Sequence, residues 1–212
     1  MAIIHQASLT PSKLEILRDY LPQIPALADY VDQNLEHIGA YRFDDPEGHV
    51  GVETHVLSGA NGAVLQMPLT YRNEALVGAE RWLVGTMHHS VLGDRWVYHG
   101  AGDPVYVGEL LRTIMSGGTE VAEIVETQDG PVPRDSSFHV QGSGSDEPIP
   151  SSFTFDAGID GTDTVIHVRD EVFVHEIVVR HLLSSAAPEV KTPRLDGQAH
   201  GVDESTLLAY LR

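Results

Sequence analysis

The period of the apolar positions changes along the chain, and each change marks an element. Leu14, Leu17 and Leu21, with Ile16 and Tyr20 beside them, recur at helical spacing. Thr10-Pro11 predicts the start of this helix: the hydroxyl can accept from a first-turn N–H, and proline at the first helical position loses no needed donor. Pro22 and Pro25 end it. The opening residues, Met1 to His5, are expected to lead straight into it. Residues 26–34 fit either a short second helix or irregular structure. Leu35 to Phe43, Val50 to Leu57 and Ala63 to Tyr71 then read as strands, separated by Asp44-Asp45-Pro46-Glu47-Gly48 and by Ser58 to Gly62. Val50, Val52 and Thr54 alternate with Gly51, Glu53 and His55. Short glycine-containing connections require these strands to pair antiparallel.

The densest pattern lies between Arg81 and Gly118. Arg81 to His88 and Arg95 to His99 form a predicted hairpin around Leu92-Gly93-Asp94. Asp103-Pro104 is a helix start, Val107, Leu110, Leu111 and Ile114 supply one apolar face, and Gly117-Gly118 can take the left-handed conformation that ends a helix. Beyond this point Glu120 to Thr127 reads as a strand. Residues 128–152 carry Pro131, Pro133, Pro148, Pro150 and the run Gly142-Ser143-Gly144-Ser145, which predicts a loop or linker interrupted by a short strand at Phe138 to Gln141. Phe153 to Asp156, Thr164 to Arg169 and the β-former-rich Glu171 to His181 (Val172, Phe173, Val174, Ile177, Val178, Val179) follow as strands. Pro188 to Gly201 reads as a polar tail, and Asp203 to Arg212 as a short terminal helix with Leu207, Leu208 and Leu211 inward. No internal repeat is read. The expected organisation is α+β: residues 1–120 as an antiparallel sheet with helices on one face, residues 121–185 as a second β-rich part packed on it, and residues 186–212 as the tail.

Charge narrows the function classes. Thirteen Lys and Arg oppose 31 Asp and Glu, a formal net charge of −18, so nucleic acid and anionic membrane surfaces are expected to be repelled. The acidity suits solubility or a basic partner surface. There is no cysteine, which excludes disulfides, thiol nucleophiles and thiolate metal sites. No apolar run approaches a membrane span and no secretory leader is read, so a cytoplasmic location is expected.

Three segments carry a resemblance. GTMHHSVLGDRWVYHGAGDPVY (85–106) resembles the signature segment of the maltokinase N-terminal cap domain, and PLTYRNEALVGAE (68–80) resembles the segment that precedes it in the cap. MAIIHQASLTPSKLEILRDYLP (1–22) is similar to the opening of stand-alone cap-like proteins of actinobacterial type. His88 and His99 stand where the resemblance leads us to expect acidic residues. For residues 1–120 it implies a curved, cystatin-like sheet. In the kinases the cap lies against the ATP-binding lobe, so it also implies a non-catalytic accessory protein that binds or regulates a kinase or other enzyme of maltose, trehalose or α-glucan metabolism. Arg72, Glu80, His89, Trp96, Tyr98 and Asp103 lie in the motif-bearing stretch and are the partner-contact candidates, each with an ordinary structural role as the competing reading.

Catalytic constellations are harder to find. Phosphoryl transfer needs a phosphate-binding cation, metal-holding carboxylates and a base, yet neither Lys13 nor Lys191 follows a glycine-rich turn. His167-Val168-Arg169-Asp170 faintly resembles a kinase catalytic loop, but His175 stands at the metal position. Asp44/Asp45 and Asp146/Glu147 are adjacent acids in turns rather than carboxylates flanking a glycosidic bond. Trp82 and Trp96 fall in predicted strands and read as core rather than as sugar platforms. His175 and His181 miss the helical zinc spacing and, on a strand, stand about 20 Å apart. No nucleophile elbow is present. No catalytic residue, cofactor or metal is therefore expected. A sugar or sugar-phosphate binding protein, with a pocket around Trp96, Tyr98 and His99, is the alternative, and the available sheet edges leave self-association open.

Overall fold

In a computed structural model, residues 2–4, 7–127, 130–171 and 174–212 are described. In chain order the elements are β1 (Ala2–Ile4), β2 (Leu9–Thr10), α1 (Lys13–Tyr20), β3 (Glu36–Phe43), β4 (Gly51–Ser58), β5 (Val64–Arg72), β6 (Leu83–His89), β7 (Gly93–His99) and α2 (Pro104–Ser116). There follow β8 (Glu123–Thr127), β9 (Gly130–Arg134), β10 (Phe138–Gly142), β11 (Thr154–Asp160), β12 (Asp163–Arg169), β13 (Val174–Arg180), β14 (Arg194–Ala199) and β15 (Thr206–Leu211). The class is α+β with a strongly curled antiparallel sheet and a second β-rich sheet.

The first sheet has the order β2-β6-β7-β5-β4-β3, the second β10-β14-β15-β13-β12-β11. These are one topology written twice. Each unit has an edge strand, a three-strand meander that starts at the opposite edge, and a final hairpin inserted between them. The irregularity recurs as well: the final hairpin shifts register between Leu83 and Gly85 in the first unit and between Leu195 and Asp196 in the second. The absence of a repeat expected from the sequence is thus corrected at the level of topology. The side chains of the two units differ while the pairing order is the same.

The two helices lie on opposite faces of the first sheet, not together on one. Helix α1 packs Ile16, Leu17 and Tyr20 with Leu57, Leu65, Met67, Leu69 and Val97. Helix α2 sits on the other face, between the sheets, with Tyr41, Phe43, Val52 and Tyr98 of the first unit and Phe138, Val140, Leu195 and Ala209 of the second. Its seven buried residues, Tyr106 to Met115, show why an apolar stripe alone undercounts what such a helix buries. Asp103 caps its start by accepting from the Val105 N–H, and Gly117, at φ 67°, ends it.

Several expectations are corrected. The opening residues do not run into α1: β1 pairs parallel with β8, while Met1 and His5 lie outside the described residues. The N-cap of α1 is Ser12, not Thr10. Ser12 and Glu15 form a reciprocal capping box, and Thr10 is held in β2 opposite His88. Residues 80–82 form a 3-10 turn, so buried Trp82 is not in a strand. Pro131 and Pro133 sit in β9, a strand at the edge of a small three-stranded sheet where a missing N–H is tolerated.

The glycine-serine run is ordered: Gly144 and Ser145 donate backbone N–H groups to the Ile114 and Met115 carbonyls at the end of α2. A side chain at Gly142 would put its Cβ 1.9 Å from the Thr113 carbonyl oxygen. The predicted strand at 171–181 is β13; Val172 and Phe173 lie outside the described residues. The polar tail and terminal helix are instead β14 and β15, two interior strands of the second sheet. Leu207, Leu208, Ala209 and Leu211 are all buried, which two-sided burial in a sheet permits.

The units meet at β5. Gln66 Nε2 donates to the carbonyls of Arg180 (2.6 Å) and Leu208 (2.9 Å), its Oε1 accepts from the Tyr41 hydroxyl (3.1 Å), and its backbone N–H donates to His181 O (2.9 Å). His181, fully buried, returns a bond from Nδ1 to Gln66 O (3.1 Å), which leaves Nε2 to accept from Thr164 Oγ1 (2.7 Å). His99 stands edge-on to it, with ring centroids 5.1 Å apart. Burial lowers His181 to about 4 and, together with the neighbouring His181, holds His99 well below its ordinary value.

The unfolded chain therefore takes up these protons first, near pH 6.5. Stability is complete above that value and falls as the pH drops toward 4. We expect His181 alone to remove about 2 kcal/mol between pH 7.5 and pH 5. Urea unfolding at the two pH values, compared with His181→Gln, checks this: the variant should lose that share of the pH dependence.

Candidate functional site

The face of the first sheet that carries α1 changes chemistry along its strands. Leu57, His55 and Glu53 alternate onto it from β4, Leu65, Met67, Leu69 and Tyr71 from β5, and Val97 and Arg95 from β7; the register pairs Glu53 with Leu69, Tyr71 with Val97 and Arg95 with Met87. Under α1 these side chains are apolar. Past the start of α1 they become Glu53, Tyr71, His89 and Arg95, and here a cleft of about 570 Å³ opens. Ala7, Leu9 and Lys13 cover it from the β2–α1 side, the 42–53 turn and its flanks form one wall, and Met87, His89, Leu92 and Arg95 form another.

A buried carboxylate organises the cleft. Glu53, 6% exposed, accepts from Lys13 Nζ and from Arg42 Nη2 (2.9 Å), and His55 Nε2 stands 3.3 Å away. His55 Nε2 also meets the Tyr71 hydroxyl (2.8 Å), while its Nδ1 meets His37 Nε2 (3.0 Å). The Lys13 ammonium lies 5.3 Å over the Tyr71 ring. Behind them Arg42 Nε and Arg134 Nε face Glu123 at 3.4 and 3.6 Å. Burial pushes the Glu53 carboxyl up, but Lys13, His55 and Arg42 together hold it well below the usual carboxylate range. Burial lowers His55 against the pull of Glu53, and burial with the neighbouring His55 takes His37 to about 4. Burial and then the Glu53 charge push the Tyr71 hydroxyl well above its ordinary value. The cluster is thus a fixed ion pair network with neutral imidazoles and a neutral phenol.

Of the residues expected to meet a partner, Arg72, Trp96, Tyr98 and Asp103 come together, at the far ends of β5 and β7. Arg72 donates twice to the buried Asp103 carboxylate (2.7 and 2.8 Å), Thr70 Oγ1 donates to it at 2.7 Å, and Trp96 pairs with Arg72 across the strands. Tyr98 is buried and its hydroxyl accepts from the Leu76 N–H (2.9 Å). Glu80 stands apart, exposed at the start of the 3-10 turn, and accepts from the Gly78 N–H (3.1 Å). His89 stands apart at the cleft, where its Nδ1 accepts from the Val91 and Leu92 N–H groups.

Sequence reasoning missed the Glu53 cluster altogether. Its signal was a glutamate and a histidine in the middle of a strand buried on both faces, with Lys13 and Arg42 as nearby cations. The pocket expected around Trp96, Tyr98 and His99 is not where the cleft lies; Tyr98 and His99 are buried in packing. Among the described residues, no group of three or more His, Cys, Asp or Glu is placed to hold a metal ion, and no helix is long and apolar enough to cross a membrane.

A six-stranded curled sheet with one short helix on one face and a capped helix on the other makes up the first unit. Residues 27–103, which run from before β3 to the N-cap of α2, match the family described as the maltokinase N-terminal cap domain. Caps are accessory, non-catalytic domains. A comparison with curated proteins finds no match.

Removing one partner of a buried ion pair leaves the other uncompensated. Asp103→Ala and Glu53→Gln are each expected to cost about 3 kcal/mol of stability, whereas Glu80→Gln should stay within about 0.5 kcal/mol. Urea unfolding at pH 7 separates the two outcomes.

Proposed function

We propose that this protein is a non-catalytic, cap-like accessory protein that binds or regulates an enzyme of maltose, trehalose or α-glucan metabolism. The observation that carries this reading is the cap match over residues 27–103. Two features support it. The polar groups of the motif-bearing stretch are engaged in holding the fold: Asp103, Thr70, Arg72 and Tyr98 fix the start of α2 and the loop at Leu76. The same stretch also places apolar side chains in water, with Val77 at 93%, Val91 at 57% and Leu92 at 46% exposure. Exposed apolar groups on a cap-like segment suit a protein partner better than a substrate.

The test is a pull-down with the purified full chain as bait, compared quantitatively with Val91→Asp/Leu92→Asp. The proposal expects an enzyme of α-glucan metabolism to be retained by the natural sequence and reduced at least tenfold with the variant. Recovery of chaperones alone, or equal recovery with both baits, overturns it.

A further inference from the structure

The cleft beyond α1 is lined by one guanidinium that stands outside the Glu53 network. Three cations line it, Lys13, Arg42 and Arg95, together with three acids, Asp44, Asp45 and Glu53. The Asp45 carboxylate is occupied by the N–H groups of Glu47 (3.0 Å), His49 and Val50 (both 2.8 Å), so it serves its own turn. Glu53 is occupied by Lys13 and Arg42. Arg95 differs from both other cations. Its Nη2 donates to the Leu92 carbonyl (2.8 Å), and among the described residues no carboxylate forms an ion pair with it, although it is half-buried.

The neighbours of Arg95 extend the pattern. His89 lines the same wall, and its Nδ1 accepts from the Val91 and Leu92 N–H groups. Tyr71, Lys13 and Met87 continue the lining, with Leu9 and Phe43 as apolar wall. Charges further away than a screening length of about 8 Å are damped by salt, so the groups lining the cleft weigh most in what is held there. A volume of about 570 Å³ matches a small organic molecule, larger than a lone ion.

We propose that this cleft binds a small organic anion through a phosphate or carboxylate group, with the Arg95 guanidinium as its anchor and Lys13 and His89 beside it. The guanidinium fork pairs with either oxyanion in the same two-pronged way. The Glu53 pairs keep Lys13 and Arg42 in place without drawing Arg95 inward. The site needs no protein partner, so it stands or falls independently of docking.

Isothermal titration calorimetry of the full chain with glucose 1-phosphate, inorganic phosphate, citrate and glucose tests it. Glucose 1-phosphate or citrate should bind, and which of the two binds tells phosphate from carboxylate; glucose should not bind. Arg95→Gln should weaken the binding at least tenfold, Arg95→Lys, which keeps the charge but loses the fork, should weaken it by a smaller factor, and Arg169→Gln, on the second sheet, should leave it unchanged. Should Arg95→Gln fail to fold, the anion-over-glucose preference and the Arg95→Lys titration still decide. No binding by either organic anion, equal binding of glucose, or full affinity in Arg95→Gln overturns the proposal.

Discussion

Gln66 is the point on which the two halves depend. Its side chain is 1% exposed and bonds three partners: the Tyr41 hydroxyl and the carbonyls of Arg180 and Leu208. Its backbone adds two bonds to His181. A buried amide without partners costs several times what a satisfied one contributes. Neither sheet can therefore move away from the other without leaving polar groups stranded. Helix α2 imposes the same constraint through packing, because its buried residues touch both sheets and neither sheet alone would cover them.

The repeated topology explains what the second unit lacks. In the first, α1 shields the outer face of the sheet, and the residues under it are leucine, methionine and valine. The second unit has no helix between β10 and β11, and its corresponding face carries charge instead: Arg169 pairs with Asp156 at 2.9 Å, and His167 and Arg212 both meet Glu176. Cross-strand charge pairs are the inexpensive way to leave one sheet face in water. The cleft in the first unit arises from a similar limit, since an eight-residue helix covers only part of the face and polar side chains take over where it stops.

The sequence made the local elements legible where their signals were local. Asp103-Pro104 and Gly117 bounded α2 correctly because capping chemistry sits in adjacent residues. The meander from Leu35 to Tyr71 was legible because its turns are short. The last thirty residues were not, because Leu207, Leu208 and Leu211 fit a helical stripe as well as a two-sided strand, and only pairing with β13 and β14 decides between them. The repeat left one trace, Leu83-x-Gly-x-x-His88 against Leu195-x-Gly-x-x-His200, too short to recognise without the matching register shifts. The Glu53 network left only a weak trace, a charged pair of positions in a buried strand, because its members lie on different elements and no spacing links them.

The central claim is that two units of one topology form a single cooperative body joined through Gln66, His181 and α2. Both tryptophans, Trp82 and Trp96, lie in the first unit, whereas far-ultraviolet circular dichroism reports on both. Urea unfolding followed by the two signals on one sample tests the claim directly. Coincident single transitions are predicted. A tryptophan transition displaced from the dichroism transition, or a dichroism curve with two steps, would contradict it.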